Sequence, residues 1–186
     1  MNIGFAMCGS FCTYSEVFPV MEALSREHHL IPIFSFASAN VDSRFGTAEG
    51  FLQKAAEICG AEPLKTIAEV EPIGPKKLLD ALIIAPCTGN TLAKLAHSIA
   101  DTPVTMAAKS HLRNGRPILV AVSTNDALAG AAENIGKLLA RKHYYFVPFG
   151  QDNAASKPTS MVADFKKIPQ ALESALEGNQ IQPVLI

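Results

Sequence analysis

Between Asp80 and Ala100 the chain reads DALIIAPCTGNTLAKLAHSIA, and no other stretch restricts the fold as much. A short apolar run, Ala81–Ala85, breaks at Pro86 and passes through a small polar turn of Thr88, Gly89, Asn90 and Thr91. Leu92, Leu95, Ala96 and Ile99 then fall at i, i+3, i+4 and i+7, the spacing of one helix face. A strand with no polar face belongs inside a sheet covered on both sides, and a helix entered directly from it makes that sheet parallel. The connecting loop then lies at the carboxyl end of the strands, where open α/β sheets bind ligands. This loop is the expected cofactor site.

The same alternation runs through the chain. Ile3–Met7 reads as a buried strand, followed by Gly9-Ser10 and a helix whose core face is Val17, Val20, Met21 and Leu24. Leu30–Phe36 is a second strand, and a helix covers Thr47–Cys59. Glu71-Pro72-Ile73-Gly74-Pro75 marks a bend before the third strand. A helix from about Thr91 and another over Val104–Arg113 lead to a fourth strand, Pro117–Val122. Ala131–Arg141 is a helix with Ile135, Leu138 and Leu139 turned inward, and His143–Val147 is a fifth strand. A turn-rich stretch, Phe149–Thr159, precedes a last helix to about Leu176, with Pro169 near its start or kinking it. With no repeat or linker, residues 1–186 read as one α/β domain with a doubly wound, Rossmann- or flavodoxin-like parallel sheet.

Composition narrows the function classes. A formal net charge of −1 offers no electrostatic basis for nucleic-acid binding. No apolar run approaches the ~20 residues of a membrane span. The start, Met1-Asn2-Ile3-Gly4, lacks the features of a secretory signal, so a cytoplasmic location is expected. Only 18% of residues are charged, which suits a surface partly covered by other subunits. Cys8, Cys12, Cys59 and Cys87 form no CxxC pair and have no histidine at ligand spacing, so no metal site is expected. Cys87, in the key loop, is either a reactive thiol or a small apolar residue beside a ligand, and the second reading is preferred.

In a parallel sheet, four loops gather on one edge: Cys8-Gly9-Ser10, Ser35 to Ser38, Pro86 to Thr91, and Ser123-Thr124-Asn125-Asp126. Gly9 and Ser10, just before a helix, suit a phosphate, and a hydroxyl from Ser35 or Ser38 would complete the cradle. Only Gly9 follows the strand, so the GxGxxG dinucleotide fingerprint fails and a mononucleotide fits better. Thr88, Asn90 and Thr91 are placed to bond a flat, heteroatom-rich ring. Helix capping by Asn90 or Thr91 is the alternative, but a cap needs one such residue and this loop has several. None of the five histidines falls in these loops; His97 reads as packing or interfacial. Lys94, Lys109, Arg113 and Arg116 make a modestly basic middle, a solvated face or a meeting place for an acidic substrate.

At these loops the chain resembles the homo-oligomeric flavin-containing cysteine decarboxylase family, which includes the flavin prenyltransferases. Pro86-Cys87-Thr88-Gly89-Asn90-Thr91 resembles the family's PASANT loop, Gly9-Ser10 its glycine-serine turn, and Val122-Ser123-Thr124-Asn125 with Glu133-Asn134-Ile135 its PAMN and ENI segments. The resemblance implies FMN, with phosphate near Gly9, Ser10 and Ser35 or Ser38, and the isoalloxazine near Pro86, Cys87, Thr88, Gly89, Asn90 and Thr91. Ser123 and Asn125 are implied contacts as well. It also implies a homotrimer or larger assembly with FMN between subunits. The decarboxylases carry a catalytic histidine shortly before the third strand; here Glu71 to Pro75 supplies none, and PAMN lacks its proline and methionine. Cysteine decarboxylation is therefore not expected.

A narrower resemblance is to the B-subunit family of dipicolinate synthases from spore-forming bacteria. It rests on Gly9 to Tyr14, Ala85 to Asn90, Met106 to Lys109, Ser123 to Leu128, Pro148 to Asp152 and Lys157 to Val162. It implies a dehydrogenase-like A subunit, which holds NAD(P), as partner in the sporulating mother cell. The implied joint reaction turns a hydroxylated tetrahydrodipicolinate, a small dicarboxylate, into pyridine-2,6-dicarboxylate. Lys94, Lys109 and Arg113 are the candidates for holding the carboxylates. A stand-alone flavin-dependent decarboxylase or prenyltransferase and a non-catalytic scaffold are the alternatives.

Overall fold

The computed structural model describes residues Met1–Ile186. Its sheet is built from β1 (Asn2–Met7), β2 (His29–Phe34), β3 (Ala81–Cys87), β4 (Ile118–Thr124) and β5 (Tyr144–Phe146), all parallel, in the order β2-β1-β3-β4-β5. Every residue of β3 is buried, which is why its sequence lacks alternation. The chain leaves β1 toward β2 and returns to place β3 on the other side of β1. Right-handed crossovers then send the following helices to opposite faces. On one face α1 (Tyr14–Ser25) packs against α3 (Ala48–Cys59) and α8 (Ile168–Leu176). On the other, α5 (Gly89–Ala96) packs against α6 (Pro103–Leu112) and α7 (Ala132–Leu139), with the short α4 (Ile67–Val70) against α6. A five-residue helix, α2 (Phe36–Asn40), follows β2 directly.

Several expectations need correction. The third strand does not end at Pro86; it runs on through Cys87, with its register to β4 shifting after Ile84. The next helix starts at Gly89 because Thr88, not Asn90 or Thr91, is its cap. Ile99 does not join the buried face of α5. Ser98 turns left-handed at φ 58°, the helix has ended, and Ile99 is 47% exposed. Leu139, expected inward, is 40% exposed on the last turn of α7. The second strand stops at Phe34 because Ser35 turns to cap α2, its hydroxyl accepting from the Ser38 N–H at 3.2 Å. Pro169 sits in the first turn of α8, where a missing N–H costs nothing.

The turn-rich stretch opens with a further strand, β6 (Phe149–Gly150), and just beyond it lies another, β7 (Met161–Ala163), so the sheet is not wholly parallel. They pair antiparallel with each other, and β7 pairs antiparallel with the end of β4 at Ser123 and Thr124. This folds residues 151–160 back over the carboxyl edge of the sheet. Both margins of the parallel sheet are covered. Beside β2, which carries Pro32, Leu64 exchanges backbone hydrogen bonds with Pro32 and Phe34. Beside β5, the Gln180 side chain accepts from the Phe146 N–H and donates to its carbonyl, both at 2.7 Å.

Candidate functional site

The strand order reverses between β1 and β3, and the crevice at such a switch point is where doubly wound sheets take ligands. A cavity of about 770 Å³ opens there. Gly9 to Cys12 reach it from the segment after β1, Thr88 with Gly89 and Asn90 from the junction of β3 and α5, and Ser123 to Asp126 from the end of β4 and the turn after it. Asp152, Lys157 and Ser160 come down from the β6–β7 connection, and Phe45 from the segment after α2.

Hydrogen bonds tie these loops into one wall. Ser10 Oγ and Ser123 Oγ lie 2.7 Å apart, joining the first loop to the third. Thr124 Oγ1 donates to the Asp126 carboxylate, and this pair packs on Gly89: a Cβ there would stand 2.8 Å from Thr124 Oγ1 and 2.7 Å from Asp126 Oδ1. Thr159 Oγ1 donates to the Asn125 carbonyl at 2.7 Å, anchoring the β6–β7 connection to the third loop. Thr88 accepts from the Thr91 N–H and so caps α5. That leaves the exposed Asn90 amide free to meet a ligand. The turn of 3-10 helix entering α1 has no side-chain cap at Ser10; its Phe11 N–H donates to the Gly9 carbonyl at 2.9 Å and its Thr13 N–H to the Ser10 carbonyl at 3.1 Å, which leaves the Cys12 amide for an anion.

The charges are few. Lys157 is the only cation lining the cavity, and its ammonium lies 2.9 Å from the Asp152 carboxylate. Hydrogen bonding from Ser160, and then from Lys157, holds the Asp152 carboxyl below its usual range. The same pairing raises the Lys157 pKa above its ordinary value. Asp126 has a hydroxyl partner and no cation. No histidine lines the cavity.

Of the residues expected from sequence, the structure gathers Gly9, Ser10, Thr88, Gly89, Asn90, Ser123 and Asn125 around the cavity. Pro86 and Cys87 are buried in β3, and burial pushes the Cys87 thiol well above its ordinary range. Thr91 turns inward, donating to Cys8 Sγ at 3.3 Å. Ser35 and Ser38 do not line the cavity: their hydroxyls bond each other at 2.6 Å, and Ser38 donates to the Met7 carbonyl at 2.7 Å. The cations also lie elsewhere. Lys94 pairs with Asp101 at 2.7 Å, Arg116 with Asp80 at 3.4 Å, and Lys109 and Arg113 line a separate cavity. His97 is exposed on the surface. Asp126 belongs to the fourth loop named from sequence, and Asp152, Lys157 and Phe45 are among the cavity residues that loop reading left out. Lys157 and Asp152 depend on strands of two and three residues, too short to leave a pattern in sequence.

Residues 1–167 match the model of the family described as Flavoprotein. The chain is 43% identical to the B subunit of dipicolinate synthase from Bacillus subtilis (strain 168), across all of this chain and 93% of that one. The chain belongs to the flavoprotein family, among the dipicolinate synthase B subunits. The crystal structure of such a B chain from Bacillus halodurans C superposes with a TM-score of 0.91 at 44% identity, covering 100% of this chain and 95% of that one. More distant flavoproteins share the fold. Burkholderia xenovorans DmrB, crystallised in complex with FMN, gives a TM-score of 0.68 at 20% identity over 95% of each chain. As a homologue of these B subunits the chain is a relative of an enzyme component, and no helix in it is long and apolar enough to cross a membrane.

Proposed function

We propose that this flavoprotein binds FMN in the switch-point cavity and serves as the B subunit of a dipicolinate synthase. With a dehydrogenase-like A subunit carrying NAD(P), it would complete the conversion of a hydroxy-tetrahydrodipicolinate to pyridine-2,6-dicarboxylate during sporulation, in the cytoplasm of the mother cell. The observation that carries the cofactor assignment is the division of labour at α5, where Thr88 caps the helix and the neighbouring Asn90 amide stays free in the cavity.

The cavity suits the group. Its volume lies within the ~300–1,000 Å³ of small-ligand sites. Gly9, Ser10 and the turn entering α1 are the phosphate holders, and the bonded Ser35–Ser38 pair fixes the end of β1 from which they depart, through Met7. Thr88, Asn90, Ser123 and Asn125 supply hydroxyls and amides for the ring edge, and Phe11 and Phe45 supply apolar surface. Pro86, Cys87 and Thr91 act from below, as the rigid strand end and inward turn that set the loop. FMN, when bound, supplies an acceptor for two electrons.

Aromatising the substrate ring requires loss of water and then of a hydride equivalent and a proton. Lys157 is the group for a substrate carboxylate, and Asp126, the carboxylate without a cation partner, is the group to take the proton. The absence of any histidine in the cavity speaks against the stand-alone decarboxylase reading. A trimer or larger homo-oligomer, closing the open side of the cavity, belongs to the same proposal.

Two measurements test it. Titration of the purified chain with FMN should give the shifted visible bands of bound flavin, and Asn90→Trp should weaken binding at least tenfold. A chain that binds no FMN alone or with its A subunit would move the scaffold role to the front. Lys157→Gln should lower kcat/KM of the reconstituted pair by about 10- to 30-fold, the worth of a charge-assisted hydrogen bond of ~1.5–2 kcal/mol, with FMN affinity retained. An unchanged kcat/KM would remove Lys157 from the substrate site.

A further inference from the structure

The geometry points to a second ligand site, for a small carboxylate with an apolar body, in the cavity between α5, α6 and the start of β5. The cavity measures about 330 Å³, the lower end of the size range of small-molecule sites. It is separate from the switch-point cavity and shares no lining residue with it. Leu95, Ile99 and Leu112 give it apolar walls, and no acidic residue lines it.

Two features call for an anion there. Lys109 and Arg113 stand four residues apart on α6 and at its C-terminal end, hence on one face of that helix, and both reach the cavity. Neither has an ion-pair partner, whereas Lys94, Lys137 and Lys157 each have one. The third cation, the guanidinium of Arg141, is already engaged in closing the end of α5, donating to the Leu95 carbonyl at 2.9 Å and the Ala96 carbonyl at 2.7 Å. It holds the rim in place and leaves Arg113 as the fork for a carboxylate.

The independent observation is Tyr144. Its side chain lines the cavity while the residue is only 6% exposed, and its hydroxyl makes no hydrogen bond within the chain. A buried tyrosine ordinarily finds a partner for its O–H, and this hydroxyl, unlike the sealed His111 Nδ1, keeps solvent access, so a molecule in the cavity can reach it. Burial also raises its pKa to about 12, so at neutral pH it is a donor. A lining hydroxyl donor, an apolar wall and two cations without ion-pair partners match an aromatic or branched aliphatic carboxylate. Inorganic phosphate would leave the apolar wall unmet.

Benzoate is the probe, and benzyl alcohol, of similar shape and no charge, is its control. In calorimetric titrations of the full chain, benzoate should bind at least tenfold tighter than benzyl alcohol. Arg113→Gln, a change that leaves the fold intact by circular dichroism, should weaken benzoate at least tenfold, and Tyr144→Phe severalfold. Asn90→Trp, in the other cavity, should leave benzoate binding as it was. Equal affinity for the two probes, or no benzoate binding, would overturn the assignment. So would binding that Asn90→Trp removes and Arg113→Gln does not. A fall in sedimentation coefficient on Arg113→Gln would overturn it too, giving this face to a contact between copies.

Discussion

Tyr14→Ala is expected to lower stability by about 3–5 kcal/mol, the usual cost of emptying a large aromatic site in a core. Tyr14 is 2% exposed and sits beneath the loop that follows β1. Its ring meets Phe51 edge-on with centroids 4.7 Å apart, Phe18 edge-on at 5.8 Å, and Phe11 at 5.4 Å. Its hydroxyl donates to the Cys8 carbonyl at 2.8 Å, pinning the residue from which Gly9 and Ser10 depart. The alanine variant therefore loses both packing and the platform of the proposed phosphate holders, and FMN affinity should fall with stability. Tyr14→Phe separates the two effects: it keeps the ring cluster, removes one hydrogen bond worth ~1 kcal/mol, and should weaken FMN more than it weakens the fold. Urea unfolding midpoints beside FMN titrations read both. A loss below about 1 kcal/mol in the alanine variant would mean the cluster is not the support described.

The second large effect concerns acid. His111 is fully buried, with Nε2 bonded to the Pro117 carbonyl at 3.0 Å and Nδ1 without a partner. Burial outweighs the hydrogen bond and pushes its pKa down to about 4, with Arg116 lowering it further and Asp80 opposing. The unfolded chain, with an ordinary imidazole near 6.5, therefore takes up a proton that the folded chain refuses. Stability is at its full value above pH 6.5, declines as pH falls through the interval to about 4, and loses nothing more to this group below that. The full span is on the order of 3 kcal/mol, at ~1.4 kcal/mol per pKa unit. His111→Gln keeps a donor for the Pro117 carbonyl and cannot ionise, so its unfolding free energy should be flat from pH 6.5 down to about 5, where the carboxyls begin to act. The lowered carboxyls of Glu69, Asp101, Glu133 and Asp152 begin to lose their own contribution as pH falls below about 5, toward their ordinary values of 4.5 and 3.8, so the histidine alone sets the slope between pH 6.5 and about 5. Equal slopes in the parent and the glutamine variant would refute the assignment.

Much of the architecture was legible because it is written in long-range hydrophobic pattern. The strand at Ala81 has no polar face, the helix after it has one apolar stripe, and their repetition leaves little but a doubly wound sheet. Legibility failed where single backbone choices decide. Ile99 satisfies the helical spacing, yet the left-handed turn at Ser98 comes first and periodicity does not register it. Ser35 and Ser38 look like ligand hydroxyls among the loop residues, and only the fold reveals that they bond each other. The cavity's sole cation was missed for a different reason. Lys157 reaches the site through antiparallel pairing at Ser123 and Thr124, a contact between segments far apart in the chain whose strands are too short to read. Local chemistry named the loops, and distant pairing supplied the charge.

The covered margins of the sheet bear on how this protein survives at high concentration. A parallel sheet exposes unpaired backbone at each outer strand, and such edges recruit other chains into mixed sheets. Many proteins deter this with charge, but a formal net charge of −1 provides almost no mutual repulsion. Here the deterrent is stoichiometric instead. Proline and Leu64 occupy the β2 side, and a single amide, that of Gln180, takes both the N–H and the carbonyl of Phe146 that another chain would need. At the β5 margin this protection thus hangs on one uncharged side chain outside every strand and helix, at a position no survey of hydrophobicity would flag.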